Sequence, residues 1–303
     1  GTTRDEDFIE HIYVANMHST MLFFTAKGMC YRIKVYELPE GTRTSKGRVI
    51  RNLRPIEADD SIVTYLNAKQ IENREYTDSH YVVMVTRNGV IKKTVLTDYA
   101  NARTRNKGIT AIKFREGDEL VEALLTDGNA QLMLAVRGGY CARFDEAQAR
   151  DQGRVSSGVR GMRVAEGDAL VGMIAYSPNA EDAADQSVLV VSEHGYGKRS
   201  NPEDYRLTAR GSKGVKTLNI TDKTGTVVAI KNVTEKNDLM IITRSGLTIR
   251  MSVADIKLAG RATQGVKLIN IKDNDSIASV SVVEHGDDEE IPEAMQESAP
   301  EEA

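Results

Sequence analysis

The sequence predicts an all-β fold: a propeller-like radial array of four-stranded blades, with five complete repeats plus the remnant of a sixth. Three observations carry this. Five short apolar runs each close on a glycine, at Gly28, Gly89, Gly139, Gly195 and Gly246. Each of these is followed nineteen residues later by a second glycine, at Gly47, Gly108, Gly158, Gly214 and Gly265. The spacing between repeats varies, from 50 to 61 residues, while the internal spacing never does. Self-similarity at about 50 residues, in units of short strands, is the mark of a blade array. One such unit cannot bury both faces of its sheet, so neighbours must stack.

Each element of the unit follows in order. The apolar runs (MLFF, YVVMV, QLMLAV, VLVV, LMII) are four to six residues long and rich in Val, Ile, Leu and Phe, which suits a strand buried on both sides. Asn88-Gly89 and Ser245-Gly246 are hairpin turns in which Gly accepts a positive φ. The chain then alternates, as in Gly28-Met-Cys-Tyr-Arg-Ile-Lys, and returns as a second strand with one side buried. A basic loop leads to the second Gly. Beyond it lie a short strand (Val215-Lys-Thr-Leu), an acid-rich turn (Glu116-Gly-Asp, Glu166-Gly-Asp, Lys272-Asp-Asn-Asp) and a last strand (Leu120-Val-Glu-Ala, Ile277-Ala-Ser-Val). Helix is expected only at Asp145–Asp151 and Val253–Leu258. Asp7 to Ile12 reads as a stray strand, belonging to a blade truncated upstream or closing the array by exchange. The resulting organisation is 1–12 as that remnant, 13–283 as the blade array, and 284–303 as a disordered acidic tail.

Charge separates the tail from the body. The 303 residues carry 40 Lys+Arg and 44 Asp+Glu, a net charge of -4. Nine of the acids fall from Glu284 onward, where there is no Lys or Arg. The body is therefore net positive, while the tail is too polar to bury a core. Such a tail reads either as a solubilising terminus or as a competitor with a polyanion for the body. Two cysteines exclude a disulfide scaffold or a Cys-rich zinc site. No apolar run reaches the ~18 residues of a membrane span. The opening Gly1-Thr-Thr-Arg is neither a Met start nor a signal peptide, and the chain reads as a cytosolic fragment of something longer.

The repeated positions carry cations. Four residues before the second Gly stand Arg43, Thr104 (flanked by Arg103 and Arg105), Arg154, Arg210 and Arg261. Lys46, Lys107 and Lys213 precede that Gly directly, and Arg48, Arg51, Lys113, Arg160, Arg163, Lys216 and Lys267 follow it. A secondary basic position lies four residues past the first Gly: Arg32, Lys93, Arg143, Arg199 and Arg250; for some of these, intersheet packing or ion pairing is the alternative reading. Equivalent loops of a radial array share one rim, so these cations form a curved positive stripe. Duplex DNA offers one phosphate per ~1.7 Å of axis, and its neutralisation releases counterions. The loops hold Ser and Thr hydroxyls for phosphate oxygens but no interleaved aromatics, which argues against a platform for stacking single-stranded bases. A rim that bends duplex DNA fits the pattern. For any single residue, solvation of an exposed loop or pairing with the acidic turns is the simpler reading; recurrence in every unit favours the shared one.

Catalysis finds no support. The histidines (His11, His18, His80, His194, His285) occupy no shared repeat position, and no set has metal spacing. No catalytic residue, metal or cofactor is assigned. Cys30 and Cys141 occupy equivalent strand positions and read as buried apolar residues. Gly195-Tyr-Gly197-Lys198-Arg199 mimics a phosphate loop but lies on a hairpin.

Val14-Ala-Asn, Lys34-Val-Tyr-Glu-Leu-Pro39, Gly158-Val-Arg-Gly161, His194-Gly-Tyr-Gly-Lys-Arg199 and Thr263-Gln-Gly-Val-Lys267 resemble the C-terminal domain of the DNA gyrase A protein, over about Asp5 to Val283. The resemblance implies a six-bladed β-pinwheel with exchanged strands, whose basic perimeter wraps DNA into a positive crossing. Strand passage elsewhere in the enzyme, a type II DNA topoisomerase, is driven by ATP with Mg2+ and turns that crossing into negative supercoils. Implied partners are duplex DNA, the rest of the gyrase A protein and the gyrase B protein, in the bacterial cytoplasm at the nucleoid, with no membrane. The family's Gly/Arg-rich box (QRRGGKG) is absent here, consistent with a first blade lying upstream. The C-terminal domain of the topoisomerase IV A protein, which serves DNA-substrate selection and decatenation, is the alternative; the regular spacing favours gyrase. A protein-interaction propeller with an acidic partner is a further alternative.

Overall fold

The computed structural model describes residues 19–37, 53–100 and 107–284. In chain order the first repeat forms β1 (Thr20–Thr25), β2 (Met29–Lys34) and β3 (Ile62–Ala68). The second forms β4 (Tyr81–Thr86), β5 (Val90–Val95), β6 (Ile109–Thr110) and β7 (Leu120–Thr126). The third forms β8 (Gln131–Val136), β9 (Tyr140–Asp145), β10 (Val159–Arg160) and β11 (Leu170–Tyr176). The fourth forms β12 (Ser187–Ser192), β13 (Tyr196–Ser200), β14 (Val215–Lys216) and β15 (Val227–Val233). The fifth forms β16 (Asn237–Thr243), β17 (Thr248–Ser252), β18 (Val266–Lys267) and β19 (Ile277–Glu284).

All strand pairs within the sheets are antiparallel, and the sheets form five blades in a ring. The last strand of each repeat is innermost: β3 packs on β7, β7 on β11, β11 on β15 and β15 on β19. Together these strands line a central cavity of about 990 Å³. The apolar run forms the next strand out, which is why it is apolar without alternation. In β4, Val82 and Met84 pack toward the first blade while Val83 and Val85 pack toward the third. Successive side chains of a strand point to opposite faces, and here both faces meet a neighbouring blade.

One expectation drawn from the repeat is corrected. The unit read from the sequence kept its four strands in one blade. In the structure the short strand after the second Gly leaves its own repeat and completes the sheet of the preceding one. The sheet orders are β3-β1-β2-β6, β10-β5-β4-β7, β11-β8-β9-β14 and β15-β12-β13-β18. Exchange of this kind is what the family resemblance implied. Among the described residues the fifth sheet has three strands, β17-β16-β19, and its outer edge is uncovered. Leu247 is accordingly 51% exposed, whereas Val90, its equivalent in the second blade, is buried under the exchanged strand at 7%.

The acidic turns prove structural. Asp60, Asp118, Asp168 and Asp275 each accept the backbone N–H of the residue just before a hairpin glycine, at Lys27, Asn88, Gly138 and Ser245, with distances of 3.0 to 3.1 Å. Orphan hairpin amides are thus satisfied within the same repeat.

Helix is scarce, as expected. Single 3-10 turns stand at Glu146–Gln148 and Val253–Asp255, inside the two expected stretches. The sequence reading overlooked α1 (Arg74–Ser79) and α2 (Thr97–Ala100). Asn73 caps α1 by accepting from the Glu75 and Tyr76 amides, a recognisable cap signal. The strand remnant assigned to 1–12 and the acidic tail beyond Glu284 lie outside the described residues; Glu284 itself closes β19.

Candidate nucleic-acid interface

Strand exchange places every described second-Gly loop on the outer edge of the preceding blade, so the loops share the perimeter. They are also bonded to one another. The amide five residues past each second Gly donates to the carbonyl two residues before the next one: Lys113 to Ser156 at 3.2 Å, Arg163 to Ser212 at 2.9 Å and Asn219 to Thr263 at 3.1 Å. The arginine four residues before each second Gly reaches back the other way. The guanidinium of Arg154 donates to the Thr110 carbonyl, Arg210 to Arg160 and Arg261 to Lys216. Consecutive loops are therefore joined twice, once by backbone and once by arginine.

This assigns Arg154, Arg210 and Arg261 a structural part within the rim. All three are half-buried. A carbonyl is a neutral acceptor and guanidinium keeps its charge, so each fixes a loop and still contributes positive potential. The freely presented cations are Lys107, Lys113, Arg160, Arg163, Lys213, Lys216 and Lys267, all exposed. Lys213 lies with its Nζ 4.5 Å from the centre of the Tyr140 ring, lining a notch with Arg163. Exposed Arg115, overlooked in the sequence, belongs to the same edge and donates to the Gly158 carbonyl at 3.3 Å. Arg43, Lys46, Arg48, Arg51, Arg103 and Arg105 lie outside the described residues.

The secondary basic position follows the alternative reading of ion pairs for most of its members. Lys93, Arg143 and Arg199 are buried, with 4 to 5% exposure, and each meets a carboxylate. Lys93 pairs with Glu146 at 3.5 Å, Arg143 with Glu203 at 3.3 Å and Arg199 with Glu235 at 3.4 Å. Arg143 also donates to the Pro202 and Tyr205 carbonyls. In the first and fifth blades Arg32 pairs with Glu72 at 2.7 Å and Arg250 with Asp238 at 2.9 Å. Lys93, Arg143 and Arg199 are thus neutralised in the seams between blades, whereas Arg32 is half-buried and Arg250 is exposed and pairs within its own blade. In the second, third and fourth blades the residue lies two past the Cys30/Cys141 position on the second strand, on the side that meets the next repeat rather than solvent.

Two further lysines have a buried role that the sequence reading does not assign: Lys92 is not singled out there, and Lys198 reads only as part of a mock phosphate loop. Lys92 and Lys198, three residues past their hairpin glycines, are each 1% exposed. Lys92 Nζ donates to the Ala111 and Arg154 carbonyls. Lys198 Nζ donates to the Gly260 and Thr263 carbonyls at 2.8 and 2.9 Å, and to that of Arg261. Burial pulls the Lys92 amine down to about 7, with the nearby Arg154 charge adding and Asp98 opposing. Burial, then Arg261, pull Lys198 down to about 8. The available signal was a lysine on a strand at a position that is Tyr31, Ala142 or Ile249 in the other repeats.

Cys30 and Cys141 are buried, and burial pushes the Cys30 thiol up to about 12 and Cys141 still higher. Among the described residues no three His, Cys, Asp or Glu side chains are placed to hold a metal ion, and no helix is long and apolar enough to cross a membrane.

The family model described as DNA gyrase C-terminal domain, beta-propeller matches residues 19–64, 80–127, 131–177, 186–234 and 237–284. The DNA gyrase A protein of Staphylococcus aureus (strain MRSA252) is 41% identical over 288 residues, covering 95% of this chain and 31% of the relative. That of Staphylococcus epidermidis (strain ATCC 12228) is 40% identical over 286 residues, covering 94% and 31%. The chain thus spans about a third of the length of these relatives. Among solved structures, the C-terminal domain of DNA topoisomerase IV superposes with a TM-score of 0.77 at 28% identity, covering 89% of this chain and 81% of that one. The DNA gyrase A C-terminal domain superposes at 0.74 and 25%, covering 88% and 83%.

Proposed function

The chain belongs to the family of DNA gyrase C-terminal domains, and on that premise we propose that its perimeter binds duplex DNA and bends it around the ring. The observation that carries the reading is the belt of loops. Arg160, Lys213, Lys216 and Lys267 are exposed on loops tied to each other in sequence, so their spacing is fixed before any ligand arrives. A rigid row of cations neutralises successive phosphates without an ordering cost at each contact. Phosphate contacts carry no base information, so the binding is sequence-tolerant and any preference reflects how easily the duplex bends.

Within a whole gyrase A protein this bending would supply the positive DNA crossing that ATP-dependent strand passage converts to negative supercoils. The rest of that protein, the gyrase B protein, ATP and Mg2+ would act outside this chain, which requires no cofactor for binding, and the assembly would work in the bacterial cytoplasm. The acidic tail would compete with DNA for the same cations.

The test is a ligation assay. A nicked circular duplex is sealed with the chain bound, and its linking number is read after the protein is removed. A shift to positive linking difference supports the reading. DNA that stays unbound at low salt overturns it. The superposition on the topoisomerase IV domain supports a second reading, DNA-substrate selection without wrapping; its signature is saturating binding with no shift. A protein-interaction propeller would instead bind an acidic peptide at least as well as duplex.

A further inference from the structure

We propose that Lys92 and Lys198 are positioning residues for the perimeter: each anchors a DNA-facing loop from beneath, through its backbone carbonyls, without touching DNA itself. The inference rests on the reading of the perimeter as the DNA-binding surface.

The geometry is specific to these two blades. Lys198 lies on β13 and its ammonium is ringed by the carbonyls of Gly260, Arg261 and Thr263, with the Thr263 hydroxyl at 3.3 Å. Those residues form the loop that ends at Gly265 and delivers β18 to the same sheet. Lys92, on β5, holds the Arg154 carbonyl of the equivalent loop two repeats earlier, together with that of Ala111. An ammonium offers three donors and no acceptor, so one Lys198 side chain satisfies several carbonyls that converge at a tight loop. The charged groups facing Lys92 are Arg154 and Asp98, and the one facing Lys198 is Arg261. Neither amine has a salt-bridge partner among the described ion pairs. Burying a charge is costly unless hydrogen bonds compensate, and the compensation present is the loop itself.

The consequence runs outward along the belt. Lys198 fixes the backbone of Arg261, and the guanidinium of Arg261 fixes the backbone of Lys216 in the preceding loop. Lys92 fixes Arg154, whose guanidinium fixes Thr110. In the third blade the position is Ala142, and the corresponding loop is held differently: the Arg210 amide donates to Gln148 Oε1 at 2.7 Å. Loops are thus anchored by lysine, by glutamine and again by lysine. The mock phosphate motif around Lys198 has this as its role. Its lysine turns inward, and Gly197 lets the exchanged strand close over it; a Cβ on Gly197 would stand 2.6 Å from Leu268.

The test compares Lys198→Met with Lys216→Met in the full 303-residue chain, at pH 6.5, by hydrogen–deuterium exchange and duplex binding. Lys198→Met is expected to raise exchange across 259–267 at least tenfold while the first two blades keep wild-type protection, and to weaken duplex binding five- to tenfold. Lys216→Met is expected to weaken binding with no change in exchange. Unchanged protection of 259–267 in Lys198→Met, or a rise spread evenly over all five blades, overturns the proposal. If Lys198→Met does not fold, the wild type decides by NMR: a slowly exchanging Lys198 ammonium with scalar coupling to the loop carbonyls supports the anchor, and its absence overturns it. A wild-type chain that ignores DNA refutes the perimeter reading instead, and the exchange data separate that failure from failure of the anchor.

Discussion

Gly158 sits against Ile91 so closely that a Cβ on Gly158 would stand 2.5 Å from the Ile91 carbonyl oxygen. The two residues belong to different repeats, and their contact seats β10 on the edge of β5. Gly158 also has φ +86, a conformation that side chains resist. Gly158→Ala is therefore expected to destabilise the chain by about 1–3 kcal/mol through strain and the clash. Chemical denaturation checks the magnitude, and exchange at 159–161 checks the location. Wild-type stability in Gly158→Ala would mean that the exchanged strand is not seated this way.

The two basic rows separate by phenotype. Lys216→Ala and Lys267→Ala remove exposed cations and are expected to weaken binding by a similar factor on every duplex sequence, with stability within about 0.5 kcal/mol of wild type. Arg143→Met leaves buried carbonyls and a carboxylate without their partner, and is expected to cost about 2–4 kcal/mol of stability. Thermal melts and duplex titrations on the same samples make the comparison. A DNA-binding loss in Arg143→Met at full stability would return that row to the surface function.

Acid tests the hairpin caps. The Ser245 hydroxyl, first among its hydrogen bonds, holds the Asp275 carboxyl down to about 2, below the ordinary 3.8. A carboxyl depressed on folding contributes stability that is present above about pH 4 and lost as pH falls through 2. The hairpin at 243–248 is thus expected to loosen between pH 4 and 2. In Ser245→Ala the Asp275 carboxyl should titrate closer to 3.8 by NMR. An unchanged titration would show that the hydroxyl is not the cause.

The thiols report global opening. With Cys30 and Cys141 buried and their thiols held protonated, neither should react with a disulfide reagent at pH 8, because the thiolate is the nucleophile. Both should react together on unfolding. Rapid labelling of Cys30 alone would indicate local opening of the first blade.

Much of the architecture was legible because the repeat itself records geometry. Gly28 and its four equivalents marked hairpins, and the run Tyr81–Val85 had to be buried on both sides. The destination of the short strands was not legible. Val215-Lys216 reads identically whether it pairs with its own repeat or with Cys141 and Tyr140 of the one before, because local sequence carries no record of which edge accepts a strand. The cations divided for a similar reason. Arg160 and Arg199 both stand at recurring basic positions, and the row of Arg199 is the more regular of the two, but Arg160 stands on an exchanged edge strand and Arg199 between blades beside Glu235. Burial that depends on a partner sixty residues away, as with Lys198 and Gly260, leaves only a faint trace: a lysine where other repeats place Tyr, Ala or Ile.

The salt dependence of duplex binding tests the perimeter most directly. Seven of the exposed perimeter cations are those expected from the sequence, Lys107, Lys113, Arg160, Arg163, Lys213, Lys216 and Lys267. If each meets one phosphate, the logarithm of the binding constant should fall against the logarithm of salt concentration with a slope of about −6, and each lysine removed should lower its magnitude by about one. A slope near zero, or one indifferent to all seven substitutions, would contradict the account.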